Sequence, residues 1–175
     1  FLLIESEESA AKAGRQPLAE LSGYGTSCNA WRITDSPPDG RGAAQAMAAA
    51  LQMAEIAPED VGYINAHGTS TGMNDPSESA GIQTVFGGVA MDVPVSSSKS
   101  MMGHLVAACG AVEVLVCLQV VREGRIPGTL NLENVDPKCA LNHVTGVLER
   151  SVRHSLSNAF GFGGSNGTVV VSAWD

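Results

Sequence analysis

Val61-Gly62-Tyr63-Ile64-Asn65-Ala66-His67-Gly68-Thr69-Ser70-Thr71 passes in one step from an apolar run to a polar, glycine-punctuated loop. A short apolar run bounded by turn signals reads as a buried strand, here over 61–66, with a loop over 67–75. Pro76 follows, and proline suits the first turn of a helix, so 76–86 reads as helical.

The alternation continues on both sides. Upstream, 18–26 reads as a strand, and 29–40 as a loop because it holds Pro37, Pro38 and Gly40. The alanine-rich stretch 43–56 is a helix on propensity. Downstream, 93–95 is a short strand and 96–100 a serine-rich turn. A long apolar helix then runs to about Arg122, stopped by Gly124 and Pro127. Residues 129–142 read as irregular. Strands at 152–156 and 168–173 are joined by the glycine-rich 160–167. At the start, 1–5 reads as an apolar strand and 6–14 as a short helix. Strands alternating with helices and closed by a hairpin predict an α/β domain, with helices layered around a mixed five-stranded sheet.

Composition narrows the function classes. The chain has 175 residues, 44% of them hydrophobic and 16% charged, which excludes a disordered chain. With 20 glycines and 5% aromatics, its core is expected to be built from Ala, Val and Leu. A net charge of −8 with no basic run argues against nucleic acid or an anionic membrane as partner. The apolar stretch 105–121 is short and carries Glu113, so it reads as a core helix, not a membrane span. Four cysteines without a C-x-x-C fit a reduced, cytoplasmic protein.

Ligands of open α/β sheets collect beyond the carboxyl ends of strands. Three polar segments stand there: the loop after Asn65, Ser96-Ser97-Ser98-Lys99-Ser100-Met101-Met102-Gly103-His104, and Asn158-Ala159-Phe160-Gly161-Phe162-Gly163-Gly164-Ser165-Asn166-Gly167. His104 falls near the start of the long helix, whose positive end favours a neutral imidazole able to donate to an oxyanion. Glu113 is costly on an apolar helix unless paired, and Lys99 is the most economical partner.

Two other readings fail. Gly163-Gly164-Ser165-Asn166-Gly167 matches G-x-S-x-G, but a strand follows where a hydrolase needs a helix, and the acid and histidine that should come later do not both follow. The histidines and cysteines show no metal-ligand spacing, so no metal is expected. Gly161-x-Gly163 lacks a third glycine, because Asn166 occupies that place, so a dinucleotide fingerprint is absent.

Asn65–Thr71, Ser97–His104 and Asn158–Asn166 together resemble the three C-terminal signatures of the β-ketoacyl-acyl-carrier-protein synthases, in order and spacing. Ser36-Pro37-Pro38-Asp39-Gly40 and Ile126-Pro127-Gly128-Thr129-Leu130-Asn131-Leu132 extend the likeness over the whole chain. The resemblance implies the C-terminal half of a thiolase-like fold, with 1–16 ending the N-terminal half and 17–175 forming the C-terminal domain. It implies an acyltransferase that performs the decarboxylative Claisen condensation of malonyl-ACP with an acyl-enzyme in fatty-acid synthesis. His67 and His104 would bind the malonyl thioester carbonyl, Lys99 would organise the site, and Glu113 would be its acidic neighbour. Thr69 and Thr71 would hydrogen-bond the phosphopantetheine arm, Thr34 would face its channel, and Phe162 would gate the site. No cofactor beyond carrier-borne phosphopantetheine is implied.

The partners implied are the N-terminal half of the same enzyme, acyl carrier protein and a second copy of the complete chain. The acidic charge disfavours this segment as the main carrier dock. Two histidines resemble the elongating enzymes, since the initiating ones replace one with asparagine. Asn74 stands where the family usually has glycine and would take the left-handed conformation there. None of Cys28, Cys109, Cys117 and Cys139 has the setting of the family's nucleophile, so this segment alone is expected to be inactive. A polyketide ketosynthase and a non-catalytic truncated module remain alternatives.

Overall fold

The computed structural model of the chain describes residues 2–174. Among the described residues the eight strands are Glu20–Cys28 (β1), Val61–Asn65 (β2), Pro94–Ser96 (β3), Arg125–Ile126 (β4), Asn142–His143 (β5), Leu148–Glu149 (β6), His154–Gly161 (β7) and Ser165–Ser172 (β8). Six of them form one sheet in the order β1-β8-β7-β2-β3-β5, and β4 pairs with β6 separately. The ladder is antiparallel across β1, β8 and β7 and parallel from β7 through β2 and β3 to β5.

The helices are Glu7–Lys12 (α1), Arg41–Ala54 (α2), Asn74–Phe86 (α3), Lys99–Met102 (α4) and Cys109–Glu123 (α5). Alternation along the strands divides two cores. Ile64, Leu156 and Val170 face Met47 of α2 and Ile82 of α3. Tyr63 and Val171 face Cys117 and Val120 of α5. Each fully buried aliphatic side chain contributes roughly 1.5–3 kcal/mol. The alanines of α2 let it lie close on β1: a Cβ on Gly25 would fall 2.1 Å from the Ala46 carbonyl oxygen.

Four expectations change. The main sheet has six strands where five were expected, because Asn142 and His143 at the end of the irregular stretch pair with Pro94 and Val95. Residues 2–6 form no strand, and Phe1 lies outside the described residues. The long helix is broken: Gly103 takes φ 73°, a 3-10 turn covers Val106–Ala108, and α5 begins only at Cys109. The strand β7 also starts later than expected and runs through Gly161, so only Phe162–Gly164 is left for the turn. No described helix is long and apolar enough to cross a membrane.

Candidate active site

His67 follows the end of β2, whose line is prolonged by Ala66 N–H donating to the Ser96 carbonyl at 2.9 Å. The side chain is 6% exposed. The loop that carries it is pinned from behind by Glu78 of α3, which lies in the core. One Glu78 oxygen accepts the His67 N–H at 2.8 Å and the other accepts the Gly68 N–H at 2.9 Å. Asn158 of β7 donates to the same carboxylate at 3.0 Å, and Thr168 of β8 donates to Asn158 at 2.7 Å. Burial pushes the Glu78 carboxyl up, although these three donors pull it back. The sequence reading missed Glu78. Its signal was a carboxylate among small and apolar residues of α3, as informative as Glu113 on α5.

Lys99 and Glu113 meet as that reading expected. Lys99 opens α4, Glu113 lies one helix later, and Lys99 Nζ donates to Glu113 Oε1 with both side chains buried. Cys109, Glu113, Cys117 and Val120 form the buried stripe of α5, at helical spacing, which is why the carboxylate has no route to water. Burial pushes the Glu113 carboxyl up, and the Lys99 ammonium beside it pulls it back part of the way.

The two histidine rings stand edge to face, with centroids 5.6 Å apart at 86°, and Phe160 flanks His67 at 5.4 Å. Burial, then the Lys99 charge and the neighbouring His104, lowers His67 from 6.5 to about 3, so it is neutral at physiological pH. His104 is not at the start of a continuous helix. It lies in the break between α4 and the 3-10 turn, exposed, and local hydrogen bonds take over from the helix dipole. Val106 N–H donates to His104 Nδ1 at 3.0 Å. A main-chain amide can only donate, so Nδ1 is the bare acceptor and the ring proton sits on Nε2.

Thr69 and Thr71 share a hydrogen bond of 2.9 Å on the rim of the loop. The positive-φ residues of this loop are Gly68, at 43°, and Ser70, at 59°, and not Asn74. Asn74 instead opens α3, its amide N–H donating to Thr71 Oγ1 at 3.4 Å. A cavity of about 450 Å³ extends from Thr69, Glu78 and Lys99 to Thr129 and His143. Phe162 is 81% exposed on the turn between β7 and β8, where Gly163 and Gly164 take φ 82° and 84°. Thr34 is exposed in the loop before α2. That loop is tied to the Phe162 turn, since Gly163 N–H donates to the Ile33 carbonyl at 2.6 Å and Asn29 N–H to the Gly164 carbonyl at 2.8 Å.

All four cysteines are free thiols. Burial pushes Cys117 up to about 12 and also raises Cys139, which leaves both un-ionised at neutral pH. No described group of histidine, cysteine and carboxylate side chains could hold a metal ion.

Two adjacent imidazoles beside a buried lysine–carboxylate pair, on a mixed sheet flanked by helices, have the thiolase-like architecture of the ketosynthases. The chain belongs to the family described as "Beta-ketoacyl synthase, C-terminal domain", whose pattern matches residues 18–133. It is similar to the 3-oxoacyl-[acyl-carrier-protein] synthase 2 of Synechocystis sp., with 44% identity over 97% of this chain and 41% of that one. The enzyme of the same name from Coxiella burnetii is 42% identical over 98% of this chain and 42% of that one.

Among solved structures, a type II polyketide ketosynthase in complex with its acyl-carrier protein superposes with a TM-score of 0.93 at 37% identity, covering 98% of this chain and 42% of that chain. A β-ketoacyl synthase from Burkholderia phymatum gives 0.90 at 34% identity, covering 98% and 41%. The chain thus spans about two fifths of the length of the relatives it matches.

Proposed function

We propose that this chain supplies the decarboxylation and carbonyl-binding half of a 3-oxoacyl-ACP synthase active in fatty-acid synthesis. The observation that carries the reading is the pair of imidazoles with ring centroids 5.6 Å apart, His67 held neutral by its burial and His104 oriented by the Val106 amide on its Nδ1. In malonyl-ACP the bond between the carboxylate and the α-carbon breaks, carbon dioxide leaves, and the electron pair moves into an enolate. His67 and His104 donate N–H hydrogen bonds to the thioester oxygen as its charge grows, which lowers the barrier selectively. The enolate carbon then attacks the acyl thioester carbonyl and the thiolate of the enzyme's cysteine leaves.

That cysteine belongs to the other half of the enzyme. Buried Cys117 and Cys139, both pushed upward, are poor nucleophiles. Lys99 acts at a distance, its charge adding to the burial that keeps His67 neutral. Thr69 and Thr71 present hydroxyls to the phosphopantetheine arm, Phe162 and its glycine turn open and close the entrance, and Thr34 lies on the loop tied to that turn. The partners are the N-terminal half, an acyl carrier protein and a second copy of the complete chain.

The test is carbon dioxide release from malonyl-ACP by the full-length protein. His67→Ala and His104→Ala should each lower it by about 100- to 1000-fold. Unchanged release in either variant would overturn the reading. A polyketide role uses the same residues and is supported by the likeness to the carrier-bound polyketide ketosynthase. Competition between a saturated and a poly-β-keto primer on the carrier separates the two.

A further inference from the structure

The loop from residue 104 to residue 109 closes on itself through one sulfur atom. Cys109 opens α5 and is 5% exposed. Its Sγ lies 3.1 Å from the Leu105 backbone nitrogen and 3.3 Å from His104 Nδ1. The Leu105 amide can only donate, so the sulfur accepts there. Nδ1 carries no proton, because it accepts the Val106 N–H at 3.0 Å. The contact between sulfur and ring is then a weaker, three-centre one, in which the S–H shares the single Nδ1 lone pair with the Val106 N–H.

Val106 reaches its position at φ 53°, a left-handed conformation that a β-branched residue adopts only when its surroundings hold it there. It is also 79% exposed, so packing of its side chain does not hold it. The 3-10 turn holds it from one side, with Cys109 N–H donating to the Val106 carbonyl and Ala108 N–H to the Leu105 carbonyl, and the hydrogen bonds around His104 Nδ1 and Cys109 Sγ hold it from the other.

We propose that Cys109 is a positioning residue for His104. The thiol ties the Leu105 amide to the imidazole, keeps Nδ1 as the acceptor and fixes the ring edge to face with His67. This rests on the reading of His104 as a carbonyl-binding donor. Cys109 has no bond-making step in this assignment; it acts through the ring.

The experiment uses the full-length enzyme with Cys109→Ala, which removes both hydrogen bonds, and Cys109→Ser, which retains a donor and an acceptor. Two quantities are read: the kinetics of carbon dioxide release from malonyl-ACP, and the ¹⁵N resonances of the His104 ring. Cys109→Ala should lower kcat about fivefold with KM unchanged, the effect of loosening the ring by about 1 kcal/mol. Cys109→Ser should recover most of that loss. The unmodified protein should show one bare and one protonated ring nitrogen, and Cys109→Ala should exchange-broaden them.

Unchanged kcat and spectra in Cys109→Ala overturn the proposal. So does a serine variant as slow as the alanine one, which marks packing and not hydrogen bonding. If the unmodified enzyme releases no carbon dioxide, the functional reading fails, and the ring spectra alone then decide whether the thiol holds the imidazole.

Discussion

Glu78 accepts the backbone amide of His67 at 2.8 Å while its second oxygen accepts that of Gly68, so one buried carboxylate sets the height and tilt of the loop that carries His67. Both amides need an acceptor and neither can turn away. Glu78→Gln replaces one oxygen with an NH2 group that faces an N–H. The expected result is a loss of about 2 kcal/mol for the unsatisfied buried donors, read as a fall in Tm of roughly 4–8 °C. Malonyl-ACP decarboxylation should fall with it. A glutamine variant with the parent's Tm would show that the loop needs no anion behind it.

His67 gives a signed dependence on pH. Its value of about 3 in the folded chain lies below the ordinary 6.5, so between those limits the unfolded state binds the extra proton. Its contribution to stability is therefore complete above pH 6.5 and is lost as the pH falls toward 3. The ring resonances of His67, followed by NMR, should stay at the neutral position down to pH 5. A midpoint near 6.5 would sink this account.

The Lys99–Glu113 pair separates stability from activity. Removing one partner leaves a buried charge alone, so Glu113→Gln or Lys99→Met should each cost about 3–5 kcal/mol. Replacing both, as Lys99→Met with Glu113→Leu, should restore much of the stability measured by urea unfolding. Decarboxylation should not return with it, because the cation beside His67 is gone. Recovery of both would make the pair purely structural.

Phe162 and its turn should behave oppositely. With 81% of Phe162 exposed, Phe162→Ala should change stability by no more than about 0.5 kcal/mol. Acyl loading of the complete enzyme should change. Gly164→Ala should be harmful to folding, since φ is 84° and the new Cβ would lie 3.0 Å from Asn29 Cβ. Thermal melts and single-turnover loading distinguish these outcomes.

Much of the site was legible along the chain. The His67 loop, the Lys99–His104 segment and the glycine turn each follow a strand, and a polar run after a strand is a local pattern. Glu113 was found, with its partner, because a carboxylate on an apolar helical stripe has few ways to be satisfied. The break at Gly103 was not read, because apolar residues on both sides kept the helical period while Val106 left it through a positive φ.

The amino-acid sequence by itself determined the α/β alternation, the three polar segments and the family they resemble, since all of these rest on neighbours within a few residues. Only the tertiary structure decided the sixth strand, in which Asn142 and His143 find their partners at Pro94 and Val95. It alone placed Glu78 under His67 and bound it to Asn158, eighty residues away. It alone put the ring proton of His104 on Nε2, through the Val106 amide. The physical reason is common to these cases. Hydrophobic period and turn chemistry are written locally, whereas the partner of a buried polar group is chosen by the packing that brings distant segments together.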